Sequence, residues 1–120
     1  MEQRGQKYHR ERLGQAMRDE ILTIVEGELA DPRIGLASIT EVHLAPDGRS
    51  AQVLVQVEGN DDEAADTLEG LDAARNYIRH ELTERLRLRQ APELFFRLDS
   101  SQRNSARIEQ LLQRIHKRKP

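Results

Sequence analysis

The stretch from Leu68 to Ser101, LEGLDAARNYIRHELTERLRLRQAPELFFRLDSS, decides the fold of this chain. Its apolar residues first recur at helical spacing, through Ile78 to Leu86. A single helix through this region would reach ~40 Å, which is too long for so small a domain. We therefore expect a break within Ala74-Arg75-Asn76. Asn76 is the candidate, because asparagine tolerates the left-handed conformation and also caps helix N-termini.

The end of this stretch predicts a short aromatic strand over Leu94–Leu98. Its alternation predicts a core face made of Leu94, Phe96 and Leu98. Asp99 or Ser101 can then cap a short last helix, since both residue types are preferred N-caps. The apolar residues of that helix would be Ile108, Leu111, Leu112 and Ile115, and we expect residues 116–120 to fray.

The residues before this stretch predict a helix and a β-hairpin. Apolar residues at steps of three to five predict an amphipathic helix from about Tyr8 to Leu29, which Pro32 should stop. Pro46-Asp47-Gly48 places proline at the first corner of a turn and glycine where positive φ is needed, so the flanking strands should pair. The expected core face of the first strand is Leu36, Ser38, Thr40, Val42 and Leu44, and that of the second is Ala51, Val53, Val55 and Val57.

The predicted order is helix, strand, strand, broken helix, strand and a short C-terminal helix. Helices on one face of a small mixed sheet are the α+β solution to such a pattern. The chain has 120 residues and no cysteine. We expect a single domain over residues 1–115, a basic flexible tail over residues 116–120, and no disulfide or cysteine-ligated zinc. With neither an export signal nor an apolar run of ~20 residues, we expect a cytoplasmic protein without a membrane partner.

Charges are segregated along the chain, although the formal net charge is only −2. Seven acidic residues and no basic one lie between Glu58 and Asp72, inclusive. Basic residues gather in three places instead, which are Arg4 to Arg12, Arg75 to Arg89 and Arg103 to Lys119. Local charge steers association more than net charge does, so this predicts a basic surface suited to a polyanion. General enrichment in charged residues would explain their number but not their segregation.

Enzyme sites have little support in the sequence. The four histidines, His9, His43, His80 and His116, show no metal-ligand spacing, and the glycines form no phosphate-binding array. Asp61-Asp62-Glu63 could hold a divalent cation, but acids at a helix start also favour the helix dipole, which we prefer as the explanation. We expect no cofactor and no metal. The alternatives are an enzyme with an unrecognised site, and a protein–protein adaptor acting through the acidic and C-terminal helices.

Three features taken together resemble ribosome-binding factor A, a bacterial family of small-subunit assembly factors. They are the stretch over residues 68–101, Asp31-Pro32-Arg33, and the region from Val42 to Val57. The similarity covers roughly Arg12 to Leu112. It implies a type II KH-like domain that binds the 30S subunit and 16S rRNA late in maturation, aids rRNA processing and cold adaptation, and has a transient functional link to a ribosome-associated GTPase. We expect a non-catalytic monomer.

The resemblance also indicates where rRNA would bind. A standard KH domain clamps nucleotides with a G-x-x-G loop, which this chain lacks. The family has an Ala-x-Gly kink instead, and the matching positions are Ala74, Arg75 and Asn76, with asparagine in place of glycine. Arg79 lies one turn further on. The alternative is that Asn76 only caps a helix, while Arg75 and Arg79 pair with neighbouring acids, Asp72 or Glu81.

Other basic residues complete the expected rRNA-binding set: Arg10, Arg85, Arg87, Arg89, Arg114, Lys117, Arg118 and Lys119. Arginines at a helix exit can line an RNA groove or simply favour the helix C-terminus. A basic tail adds affinity and salt dependence with little specificity. For Asp31-Pro32-Arg33, we expect a helix stop with a local ion pair rather than an RNA contact.

Overall fold

The computed structural model describes residues 4–99, which contain three helices and three strands. The elements are α1 (Arg4–Gly27), β1 (Ala37–Leu44), β2 (Ser50–Val57), α2 (Asp61–Ala73), α3 (Arg75–Leu86) and β3 (Glu93–Leu98). The predicted α+β class and the order up to the third strand are confirmed. The predicted last helix and the tail lie outside the described residues.

The sheet is mixed and has the strand order β1-β2-β3. β1 and β2 are antiparallel, whereas β2 and β3 run parallel. The hairpin formed by β1 and β2 has its turn at the predicted residues. The Gly48 N–H donates to the Ala45 carbonyl at 2.9 Å, and Gly48 has a φ of 70°. Proline and glycine therefore hold the positions that their backbone preferences favour.

The predicted core face of β1 is wrong at its beginning. Ile39 is fully buried, whereas Leu36 precedes the strand and is 74% exposed. The pairing with β2 shifts between Ile39 and Glu41, so that Thr40 is an extra residue. A bulge of this kind reverses the alternation of side chains. Val42 consequently faces the core as predicted, while the core residue before the bulge is Ile39.

All three helices pack against one face of the sheet. α1 lies along β1, α2 over β3, and α3 beside α1. The core faces predicted for β2 and β3 are confirmed, with Phe96 and Leu98 only partly buried. The largest fully buried apolar side chains are Met17, Ile21 and Ile24 of α1, Ile39 of β1, Val53 and Val55 of β2, Leu71 of α2, Ile78 and Leu82 of α3, and Leu94 of β3.

The helix break lies at Ala74, not at Asn76. Ala74 has φ −88° and ψ 1°, and it is both the C-cap residue of α2 and the N-cap residue of α3. A ψ near zero bends the chain without a left-handed residue. Asn76 is an exposed residue inside α3. Within residues 4–99, Arg87 at the end of α3 is the non-glycine residue with positive φ, at 53°.

Helix α1 ends at Gly27, before the predicted stop at Pro32. Glycine is a poor helix former, and the Glu28 N–H makes a last helical bond to the Ile24 carbonyl at 2.9 Å. Asp31-Pro32-Arg33 instead forms a local turn. The Arg33 guanidinium lies 2.6 Å from the Asp31 carboxylate, and the Arg33 N–H donates to the same side chain at 2.9 Å. The predicted ion pair is confirmed, and it lowers the pKa of Asp31.

Candidate nucleic-acid interface

The expected rRNA-binding residues lie at both ends of α3 rather than in one cluster. Ala74, Arg75 and Asn76 are at its start, and Arg87 and Arg89 follow its end. The twelve residues of α3 separate the two groups by roughly 18 Å at 1.5 Å per residue. Arg114, Lys117, Arg118 and Lys119 lie outside the described residues.

At the start of α3, Arg75 is partly buried and Asn76 is exposed. The Nη1 atom of Arg75 lies 3.6 Å from Oδ1 of Asp72, whose side chain is 62% exposed. The pairing with Asp72 considered from the sequence is therefore present, but an exposed pair at this distance contributes little. Arg75 can exchange that partner for a phosphate at low cost.

Arg79 is held by the loop between α3 and β3. Its Nε donates to the Pro92 carbonyl at 3.1 Å and its Nη2 to the Ala91 carbonyl at 2.9 Å. Both loop residues are buried, so these bonds satisfy carbonyls that water reaches poorly. Arg79 pairs with the backbone rather than with Glu81, and the structure gives it a positioning role.

Arg85 joins α3 to α1. Its guanidinium lies 2.5 Å from Glu28, 3.0 Å from Glu81 and 3.5 Å from Glu20. The Tyr77 hydroxyl donates to Glu28 at 2.9 Å. The hydrogen bonds from Arg85 and then Tyr77 lower the pKa of Glu28, and the carboxylates raise the pKa of Arg85. Three carboxylates around one guanidinium leave the local charge negative, which is a poor setting for a phosphate.

Three chain segments that carry basic residues come together at the end of the domain that has the β1–β2 turn. We call this end the turn end, and its basic residues are Lys7, Arg10, Arg49, Arg87 and Arg89. The segments surround an open groove of about 610 Å³ whose lining includes Arg10, Gly48 and Leu88. Glu11, Asp47 and Glu93 are the acids in these segments or next to them, so the five bases still outnumber them.

The loop that carries Arg49 is tied to the start of β3, because the Glu93 N–H donates to the Arg49 carbonyl at 2.9 Å. Sequence reasoning chose Arg10, Arg87 and Arg89 but did not single out Arg49. The sequence did contain a signal that could have identified Arg49, because this residue directly follows Gly48, the glycine of the predicted turn. What the sequence did not show is that this turn lies beside the end of α3.

The opposite end of the domain is acidic. β2 runs from the turn end to this end, where Asp61, Asp62 and Glu63 form the first turn of α2. Asn60 and Glu63 make a capping box, with the Glu63 N–H donating to Asn60 Oδ1 at 2.8 Å. This supports the helix-dipole interpretation of the acids. In residues 4–99, no group of three histidine or acidic side chains could hold a metal ion.

Comparison with known proteins gives the family. The family model of ribosome-binding factor A matches residues 9–112. Ribosome-binding factor A of Koribacter versatilis is 61% identical over 119 residues, which cover 99% of this chain and 97% of that protein. The protein of the same name from Staphylococcus saprophyticus is 43% identical over 108 residues, covering 90% and 95%.

Solved structures agree with the fold. The crystal structure of ribosome-binding factor A from Thermus thermophilus has a TM-score of 0.66 and 25% identity, covering 74% of this chain and 94% of that one. A Thermus thermophilus homology model fitted into a cryo-EM map of a complex with the 30S subunit has a TM-score of 0.64 and 24% identity, covering 78% of this chain and 99% of that one.

None of the described helices is long and apolar enough to cross a membrane. The family match over most of the chain makes this protein a member of the ribosome-binding factor A family.

Proposed function

We propose that this protein binds the small ribosomal subunit through 16S rRNA late in subunit maturation, in the cytoplasm, and supports rRNA processing by binding rather than by catalysis. Family membership supports the choice of partner, because the Thermus thermophilus relative is fitted in a complex with the 30S subunit. The observation that carries the physical argument is that three chain segments, which together carry five basic residues, come together at the turn end.

The turn end is suited to phosphate. Within residues 4–99, the side chains of Arg49, Arg87 and Arg89 have no hydrogen bond or ion pair to another side chain. They can therefore bind phosphates without first breaking an internal pair. Guanidinium groups bind phosphate oxygens in a fork, and each neutralised phosphate releases counterions. Binding should accordingly be strong at low salt and fall steeply as salt is added.

The start of α3 would supply a second contact. Arg75 and the exposed Asn76 lie roughly 18 Å from the end of the helix, a separation that can span several nucleotides. Arg79 and Arg85 would act indirectly. Arg79 holds the loop that carries Arg89, and Arg85 holds α1, which carries Arg10, against α3. The basic tail beyond the described residues would add general attraction.

The acidic end supports a transient complex. Glu58, Asp62 and Asp66 are exposed at the end of β2 and on α2, away from the turn end. Their charge would repel rRNA and so orient the domain with its turn end toward the subunit. Binding through a small charged surface is also readily reversed. We also propose that a ribosome-associated GTPase releases the protein from the small subunit when its role there is complete.

The proposal is tested by measuring binding to purified immature and mature 30S subunits over a series of KCl concentrations. The variant Arg87→Ala/Arg89→Ala should bind about 10- to 100-fold more weakly at low salt, and the slope of log affinity against log salt should fall by roughly 1.4–1.8 for two lost phosphate contacts. The control Arg33→Ala/Arg97→Ala removes the same charge from exposed positions elsewhere.

Equal losses in the two variants would show that only net charge matters and would overturn the assignment of the turn end. Equal binding of the wild-type protein to 30S and 50S subunits would overturn the choice of partner. A flat salt dependence, with binding lost in Asp62→Asn/Asp66→Asn, would favour the adaptor alternative instead.

A further inference from the structure

A groove opens beside the start of β1, at the acidic end of the domain. Further along β1, α1 covers the edge of the strand: the Arg18 Nε donates to the Thr40 carbonyl at 2.9 Å, and Gly14 lies against the Val42 carbonyl. The helix ends at Gly27, and the start of β1 is left beside a groove of about 470 Å³. The apolar residues that line this groove are Val25, Leu29, Ile34, Leu36 and Ala37.

The backbone of Ala37 is free at this edge. The Glu58 N–H donates to the Leu36 carbonyl at 3.0 Å, so these two residues form a hydrogen-bonded pair. In the next pair, Ala37 and Val57, the N–H and C=O of Ala37 therefore point away from β2. Among the described residues, nothing forms a hydrogen bond to these two groups. A strand edge with free backbone groups can accept another extended chain.

The charged groups around the groove are acidic. Glu26 and Glu58 line it, both are exposed, and neither side chain has a hydrogen bond or ion pair among the described residues. None of the described residues that line it is basic, whereas Arg10 lines the groove at the turn end. The two carboxylates can therefore bind a cationic ligand without first breaking an internal pair, and they would repel a phosphate backbone.

A strand laid along Ala37 would meet different groups on its two faces, because its side chains alternate between the two sides of the sheet. On the helix side they would meet Leu29 and Ile34, which are partly buried. On the other side they would meet Glu58 and Leu36, and Leu36 is 74% exposed. A chain in which apolar residues alternate with lysine or arginine fits both sides.

We propose that this groove binds an extended basic segment of another protein, which adds a strand at the start of β1. The C-terminal segment of this chain is also basic, but its apolar residues recur at helical spacing and do not alternate. The proposal goes beyond the proposed function, because it assigns a protein contact to the acidic end while the turn end binds rRNA.

The test uses the full-length protein, isotope-labelled for NMR, and the synthetic peptide acetyl-KIKVKIK-amide. We expect saturable chemical-shift changes centred on the amides of Leu36, Ala37 and Glu58. The charge-reversed peptide acetyl-EIEVEIE-amide should bind at least about 10-fold more weakly. Changes centred elsewhere, or equal binding of the two peptides, would overturn the proposal.

Methylation of the peptide's backbone nitrogens tests the strand pairing. One peptide is methylated at its three apolar residues and another at its lysines. The N–H groups of alternate residues in a strand point to the same side, so only one of the two peptides loses the donors that face Ala37. That peptide should bind about 3- to 10-fold more weakly than the other. Equal affinities of the two methylated peptides would overturn the addition of a strand.

The two carboxylates have a matched control. Glu26→Gln/Glu58→Gln should weaken peptide binding about 3- to 30-fold. Asp62→Asn/Asp66→Asn removes the same charge from exposed positions on α2 and should weaken it by less than about 2-fold. Equal losses in the two variants would mean that only the general field of the acidic end acts, and they would overturn the assignment of the groove.

Hydrogen exchange of the full chain separates the other possible occupants. The Ala37 amide should exchange readily in the free protein and gain protection when the peptide is added. Protection already present without the peptide would mean that other residues of this chain cover the groove. Shifts of the same amides on adding single-stranded oligo(U) RNA would mean that the groove binds RNA. Either of these two results would overturn the proposal.

Discussion

Gly14 of α1 lies directly against the backbone of Val42 in β1. A Cβ placed on Gly14 would be 2.6 Å from the Val42 carbonyl oxygen, closer than any real contact of that kind. The helix can therefore lie beside the edge of β1 only because position 14 has no side chain. The contact protects the edge of β1, and it sets the position of α1 and hence of Arg10 at the turn end.

We expect Gly14→Ala to destabilise the fold, because the strand backbone must move to admit the methyl group. Overpacking typically costs about 1–3 kcal/mol, which outweighs the ~0.5–1 kcal/mol that alanine contributes to a helix over glycine. The control is Gly5→Ala in the same helix, where a Cβ meets nothing within 4 Å. It should leave stability unchanged or raise it slightly. Urea unfolding measures both, and a Gly14→Ala variant as stable as wild type would contradict the close approach.

Replacing Arg79 and replacing Arg75 should affect the stability of the protein differently, although both residues belong to the expected rRNA-binding set. Arg79→Ala leaves the Ala91 and Pro92 carbonyls without their donors, at a cost of ~1–3 kcal/mol. Arg75→Ala loses one weak exposed pair and should fall within about ±0.5 kcal/mol of wild type. Chemical denaturation of the two variants checks this directly. Equal stabilities would mean that Arg79 does not hold the loop.

Asn76 should behave as an ordinary exposed helix residue. Asn76→Gly should lower stability by a few tenths of a kcal/mol or more, and Asn76→Ala should raise it by about 0.5 kcal/mol, following helix propensity. Thermal unfolding followed by circular dichroism measures both changes. If Asn76 were the left-handed residue of a kink, glycine would be the better replacement, and the order of the two variants would be reversed.

Acid should weaken the link between α1 and α3. Arg85 and Tyr77 hold the pKa of Glu28 below its ordinary value of 4.5. A carboxyl whose pKa is lower in the folded than in the unfolded state stabilises the fold above its unfolded pKa, and this contribution is lost as the pH falls through the folded pKa. We therefore expect Glu28→Gln to be less stable than wild type at pH 7, with a difference that shrinks below about pH 4.5.

The matched control for this pH dependence is Glu26→Gln, which changes an exposed residue in the last turn of α1, two positions before Glu28. Its stability difference from wild type at pH 7 should be small. Unfolding free energies between pH 7 and pH 3 measure both variants. A Glu28→Gln difference that does not change over this range would show that the ion pair with Arg85 contributes nothing through Glu28 ionisation.

Local sequence was sufficient for much of the fold. The Pro46-Asp47-Gly48 turn, the alternation in β2 and the long apolar period of α1 were predicted correctly, because each depends on backbone preferences or on side-chain spacing within a few residues. The broken helix was also predicted, because an unbroken one would be too long for the domain. The family resemblance depended on short motifs across the chain, and the match to the family model and to the relatives confirmed it.

Tertiary structure decided the rest. The bulge at Thr40 depends on how β1 pairs with β2, and the break at Ala74 depends on how two helices fit one sheet, so neither has a local signal in those residues. The same holds for the site. Sequence alone identified the arginines, but a guanidinium can donate to a phosphate, a carboxylate or a carbonyl. Which of these Arg79 and Arg85 meet is settled by the groups that folding brings within about 3 Å, and those come from other parts of the chain.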